Sequence, residues 1–221
     1  MGAPAPEPSL TERGQLLEAL LGRLQAADQP GAMTVVDRAM ELGWTVDDVR
    51  FHLVTPALHD VGLRWERGEI GVADEHLACS VCEWLLFALA GRVRRPVATG
   101  RRALIGCSEG ELHSLGARII AHTLSEHGWA VLLLGADTPA TAWPPIVRAR
   151  RPDAAILSTT TQAVLGKVGP AVHAIKAARP ECRTVLGGQA YWSVSGAAAD
   201  FGADLLALDP RALPRQLAEL S

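Results

Sequence analysis

Ala103-Leu104-Ile105-Gly106-Cys107 is followed at once by Ser108-Glu109-Gly110-Glu111-Leu112-His113-Ser114-Leu115-Gly116, and the reading of the chain turns on this stretch. Five apolar or small residues bounded by polar ones read as a short strand buried on both faces. A helix is expected over 114–127. Four more pairs come after it. Strands are expected at 131–135, 154–157, 184–186 and 204–208, and helices at 141–150, 162–178, 190–199 and 210–220. In sheets built this way ligands gather at the carboxyl ends of the strands, so the loop carrying His113 is where functional side chains should be sought.

Five β/α alternations over 101–221 predict an α/β domain, a doubly wound five-stranded parallel sheet of flavodoxin-like (Rossmann-like) type. Upstream the periodicity is helical. Leu16, Leu17, Leu20, Leu21 and Leu24 make one stripe, closed by Pro30-Gly31, and Met33, Val36, Ala39, Met40 and Leu42 make a second, ended by Gly43. Thr45 ahead of Asp47 and Asp48 opens a third helix through Val49, Leu53, Leu58, Val61 and Leu63, which Pro56 should bend or break. A fourth runs over about 73–90. Residues 10–95 therefore read as a four-helix bundle and 96–100 as a linker. Residues 1–9, with Pro4, Pro6, Glu7 and Pro8, read as a disordered arm without the cationic start or apolar middle of a signal peptide.

The 221 residues are 48% apolar and 20% charged, enough to fill a core, with a net charge of −3. No basic block suggests direct nucleic-acid binding, and the Arg94-Arg95 and Arg101-Arg102 pairs read as solvated linker charges. No apolar run approaches the ~20 residues that span a bilayer, so no membrane partner is expected and the cytoplasm is the expected compartment. Cys79 and Cys82 form a CxxC inside an apolar helical pattern, with no second CxxC or paired histidines. They read as structural thiols rather than a zinc or redox pair, as do Cys107 and Cys182. No nucleophile–base pair, HExxH or phosphate-cradling loop marks a self-contained enzyme.

A single histidine after a first strand is more often a cap or surface residue. Two other strand ends change that reading. The third ends in Ser158-Thr159-Thr160, a hydroxyl cluster, and the fourth in Gly187-Gly188, where missing side chains let backbone approach a large flat ligand. In order, Glu111-Leu112-His113-Ser114-Leu115-Gly116, the 41 residues 117–157, Ser158-Thr159-Thr160, the 26 residues 161–186 and Gly187-Gly188 resemble the cobalamin-binding domain signature. The family usually has Asp where this chain has Glu111. The resemblance implies that His113 is the lower axial ligand of cobalt, replacing the cofactor's own dimethylbenzimidazole (base-off), with Glu111 fixing its tautomer. It further implies that Ser158, Thr160, Gly187 and Gly188 line the channel for the nucleotide tail, beside Leu112, Ser114 and Gly116.

Within the bundle, Trp65 and, after nine residues, Glu75-His76 resemble the CarH-type adenosylcobalamin-binding photoreceptors; the bland alternative is a core tryptophan and a polar helix start. The resemblance implies a helical cap in which Trp65, Val72, Glu75 and His76 surround the 5′-deoxyadenosyl group. Two departures stand out. The helix-turn-helix segment that opens such photoreceptors is absent from these residues, so a stand-alone module is expected, signalling through a downstream protein or a homo-oligomer, dimer or tetramer. Glu66 stands where the best-known members carry the histidine that captures cobalt after illumination, leaving His52, His59 and His76 as imidazoles that could take its place. Relatives of this kind also admit a second chromophore, a bilin such as biliverdin, for which no residue here is specific.

The expected function is a cobalamin-dependent light sensor. The rival is a corrinoid methyl carrier of a methyltransferase system, against which the bulk of Trp65 and the presence of Glu75 and His76 weigh. A third reading, the small subunit of a mutase, fits less well because such subunits usually lack the helical cap.

Overall fold

In a computed structural model of the chain, residues 9–93, 96–192 and 198–220 are described. The expected arm over 1–9 thus lies outside them except for Ser9. Contacts divide the chain into two compact units, Met1–Val93 and Arg94–Ser221.

In the first unit Ser9 caps α1 (Leu10–Gln25) through a reciprocal box with Glu12. Asp28 caps α2 (Gln29–Glu41), and Thr45 with Asp48 caps α3 (Val46–Val49). Pro56 neither stops nor sharply breaks the third predicted helix. The chain stays helical through a widened π turn at Arg50–Val54 and continues as α4 (Thr55–Glu66), with Pro56 in its first turn. The Thr55 hydroxyl donates to the Arg50 carbonyl at 2.9 Å, inside the turn where proline has no N–H to give. After Gly71 comes α5 (Val72–Ala90), apolar on most sides. Leu20, Leu24, Val36, Leu53, Leu85 and Leu89 are fully buried, whereas Leu42, one of the predicted stripe residues, is exposed.

In the second unit five parallel strands lie in the order β2-β1-β3-β4-β5. They are β1 (Arg102–Cys107), β2 (Ala130–Gly135), β3 (Ala154–Ser158), β4 (Arg183–Gly187) and β5 (Leu205–Ala207). Alternation sends Ala103, Ile105 and Cys107 to one face, against α6 (Leu115–Glu126) and α9 (Leu213–Glu219). Leu104, Ala155 and Leu157 face the other way, against α7 (Trp143–Arg150) and α8 (Val168–Ala178). The chain leaves β1 for β2 on one side and returns to β3 on the other, so the crevice of this topology opens between the ends of β1 and β3. No helix among the described residues is long and apolar enough to cross a membrane.

Two predicted helices differ. The one expected over 162–178 begins as a 3-10 turn, Gln162–Lys167, and becomes α-helical only at Val168, as expected for a segment holding Gly166, Gly169 and Pro170. In place of the helix over 190–199 there are 3-10 turns at Gln189–Tyr191 and Ala198–Phe201, with 193–197 outside the described residues. Gly188, at φ 118°, breaks the approach to any helix there.

Gly106 is forced by packing. A Cβ there would sit 2.9 Å from the buried Trp143 ring and 3.0 Å from the Thr138 hydroxyl. Gly106→Ala should lower stability by ~1–3 kcal/mol through overpacking, read as an earlier urea midpoint at unchanged slope.

Candidate functional site

The loop after β1 is built around Glu111, whose side chain is fully buried although it carries a charge. Four donors converge on it. Oε1 accepts the His113 main-chain N–H at 2.9 Å and the His113 ring at Nδ1, 2.6 Å away. Oε2 accepts the N–H groups of Thr160 at 2.8 Å and Thr161 at 2.7 Å, both from the loop after β3. Burial works against ionisation, but the hydrogen bonds from His113, Thr161 and Thr160 outweigh it and draw the carboxyl down to about 2. Glu111 is therefore a carboxylate at neutral pH and can only accept. Nδ1 of His113 must be the donor, and in the neutral ring the lone pair is then at Nε2. The imidazole is 55% exposed. A buried carboxylate orienting an exposed imidazole is the arrangement that metal-bound histidines use.

The loop after β2 holds the same segment. Asp137, at φ 46° in a left-handed conformation that aspartate tolerates, accepts the Gly110 N–H at 2.7 Å and donates its own N–H to the Glu111 carbonyl at 2.8 Å. Thr138 N–H bonds the Cys107 carbonyl at 3.1 Å. Below the loop, the Ser108 and Thr159 hydroxyls are 2.8 Å apart, and Thr159 Oγ1 is 3.2 Å from the Tyr191 hydroxyl, all three residues being buried.

The structure brings Glu111, His113, Ser158, Thr160, Gly187 and Gly188 to one end of the sheet. Leu112 and Gly116 are exposed, Ser114 is the N-cap position of α6, and Ser158 is buried beneath Gly116. Thr160 contributes its main-chain N–H to Glu111. The glycine pair has a role the sequence did not suggest. A Cβ at Gly188 would run into the Thr159 main chain, and one at Gly187 would lie 3.1 Å from the Ala207 carbonyl, so what approaches these glycines closely is the protein's own backbone. Sequence reasoning passed over Asp137, Thr159 and Tyr191. For Thr159 the signal was its place inside the hydroxyl cluster; the other two meet the site only through folding.

The helical unit places Trp65 in the last turn of α4, 46% exposed, and Val72, Glu75 and His76 in the first turns of α5. Val72, Glu75, His76 and Cys79 follow helical spacing on one face. Cys79 Sγ donates to Glu75 Oε1 at 3.0 Å, and His76 Nε2 lies 3.5 Å from Glu75 Oε2. Cys79 is partly buried; burial first, then Glu75, pushes its thiol well up, and burial pushes Cys82 up to about 12. No cluster of three or more His, Cys, Asp or Glu that could hold a metal occurs among the described residues.

Because the Glu111 carboxyl falls from an ordinary value of 4.5 to about 2, its contribution is complete above pH 4.5 and is lost as pH falls toward about 2. Glu111→Gln would turn an amide donor toward N–H groups and should cost on the order of 3 kcal/mol at pH 7. The difference between wild type and variant in urea unfolding should shrink between pH 4.5 and 3; a gap constant over that range would contradict this origin.

Two families, each described as a B12 binding domain, match the chain over residues 101–208 and 16–89. The HTH-type transcriptional repressor CarH of Myxococcus xanthus is 35% identical over 145 residues, 64% of this chain and 46% of that protein. The HTH-type transcriptional repressor CarA of the same organism is 34% identical over 126 residues, 56% of this chain and 42% of that protein. The chain thus spans about half the length of the curated relatives it matches. The monomethylamine corrinoid protein of Methanosarcina barkeri superposes with a TM-score of 0.80 at 15% identity, covering 95% of this chain and all of that one, a likeness of fold. Through residues 16–89 and 101–208 the chain belongs to the B12 binding domain families, and it is a cobalamin-binding protein related to CarH.

Proposed function

We propose that the chain binds adenosylcobalamin base-off, with His113 as the lower axial ligand of cobalt, and serves in the cytoplasm as a light sensor rather than an enzyme. The observation that carries the ligand assignment is the buried Glu111 carboxylate holding the His113 ring by Nδ1. It fixes the ring's orientation and leaves the lone pair at Nε2, the donor that a borderline metal ion accepts. Ser158 and Thr160, beside Leu112, Ser114 and Gly116, are the residues assigned to the nucleotide tail, and Gly187 and Gly188 would border its channel by letting the end of β4 close onto Thr159 and Ala207. Trp65, Val72, Glu75 and His76 are assigned to the adenosyl group, and the likeness to CarH supports that assignment. Bound adenosylcobalamin would supply a Co–C bond weak enough for visible light to break.

The chain's own part is to hold the corrinoid through one oriented imidazole and to change packing, and with it a dimer or tetramer or a downstream partner, once the adenosyl contacts are lost. With Glu66 after Trp65, a second imidazole would have to come from His52, His59 or His76. The alternative, a methyl-carrying corrinoid component, requires open space above the metal, against which the large Trp65 side chain weighs.

His113→Ala should weaken corrinoid uptake at least about tenfold and shift the spectrum of whatever binds, measured by titration with adenosylcobalamin in the dark. Unaltered loading and spectrum would overturn the ligand assignment. Separately, the loaded wild type should change both absorption spectrum and size-exclusion profile on illumination. Identical traces before and after light, or preference for methylcobalamin over adenosylcobalamin, would favour the carrier. The same spectrum reports whether a bilin accompanies the corrinoid.

A further inference from the structure

A second concave site lies in the sheet unit at the end of the strands away from the His113 loop. It is an open groove of about 570 Å³ between the segment entering β1, the turn between α6 and β2, and α9. Arg101, His127, Trp129, Arg211 and Arg215 line it. Among the described residues its wall carries three guanidinium groups and an imidazole, and no carboxylate. Asp209 and Glu219 pair with Arg211 and Arg215 at 3.3 and 3.8 Å from outside the wall. Arg215 remains 78% exposed, so that pairing is weak.

The groove has a fixed floor. Trp129 is buried, and the Arg101 guanidinium lies over its ring at 5.6 Å, which holds a long flexible cation in one place. The His127 ring is fixed as well: Nδ1 sits 2.8 Å from the Thr123 carbonyl, which can only accept, so Nδ1 is the donor. Guanidinium forks match phosphate oxygens in pairs, and three of them lining one hollow favour a multiply charged anion over a single carboxylate. The volume falls in the range of sites for small organic ligands and is far larger than a bare halide needs.

From these observations we infer that the groove binds a phosphate-bearing small molecule, up to nucleotide size, at a site separate from the corrinoid. The six residues of β1, at ~3.3 Å each, put about 20 Å between the groove and the His113 loop, and the two share no residue. The groove also sits where the chain enters the sheet: Thr99, which lines it, is bound to the Gly128 carbonyl through both its N–H, at 2.9 Å, and its hydroxyl, at 3.0 Å. A ligand there would touch the end of the segment leading in from the helical unit.

The test is calorimetric titration of the full chain with ADP and with inorganic pyrophosphate at ~0.15 M salt, where loose surface attraction is largely screened. Saturable binding of either is expected, weakened about tenfold by Arg215→Ala and similarly by Arg101→Ala, as for loss of one charge-assisted contact. Arg215 is exposed and can be removed without disturbing the core, so its variant keeps the test valid if Arg101→Ala unfolds. Tighter binding of ADP identifies a nucleotide as the ligand, and equal binding identifies the phosphate group alone. The titration of His113→Ala should match wild type, which separates this site from corrinoid binding. No heat with either probe, or equal affinity in wild type and Arg215→Ala, would overturn the inference.

Discussion

A single buried carboxylate organises the upper end of the sheet. Left unpaired, an ionised glutamate in the interior would cost several kcal/mol; here Glu111 takes four hydrogen bonds, from a ring, its own loop and the loop after β3. Each donor is spent on the same two oxygens, so the loops after β1 and β3 cannot move independently. Asp137 adds the loop after β2 by gripping the main chain on either side of the Gly110–Glu111 peptide. Three strand ends are thus tied to the residue that orients the candidate ligand. The extra methylene of glutamate, over the aspartate usual in the family, is accommodated with this set of donors in place.

Beneath that end the packing is equally specific. The crevice exists because β1 lies inside the order β2-β1-β3-β4-β5 and its neighbours are reached in opposite directions. Gly106 lets the Trp143 ring lie against β1, and Gly188 lets β4's end close onto Thr159. The hydroxyls of Ser108, Thr159 and Tyr191 then satisfy one another in the buried interior.

Much of this was legible in the chain. The change from helical to strand periodicity near residue 100 marks the division into two kinds of unit, because buried parallel strands and amphipathic helices obey different repeats. Glu111 and His113 were legible because both lie in one loop, two residues apart. Asp137 and Tyr191 were not, since their partners are 26 or more residues away and only the sheet order unites them. Gly187-Gly188 could be recognised as a place of close approach, but not what approaches: a pair of glycines reads alike whether a ligand or the backbone of Thr159 lies against it. Where the described residues of the helix expected over 190–199 form 3-10 turns instead, the cause is related: the glycine-controlled turn at Gly188 overrules the local spacing just after it.

The wide turn at Arg50–Val54 carries a consequence for the face on which the helical unit displays its residues. Val49, Leu53, Ala57 and Val61, all buried, recur every four positions. In an unbroken α-helix that interval drifts about 40° per step, so three steps would rotate the last residue about 120° from the first. One surplus residue takes up about 100°, and the seam stays in line. Trp65 comes one step after Val61 and inherits its azimuth from that correction. A chain shortened by a single residue at Phe51 would keep its helical content yet point the tryptophan about a quarter-turn away.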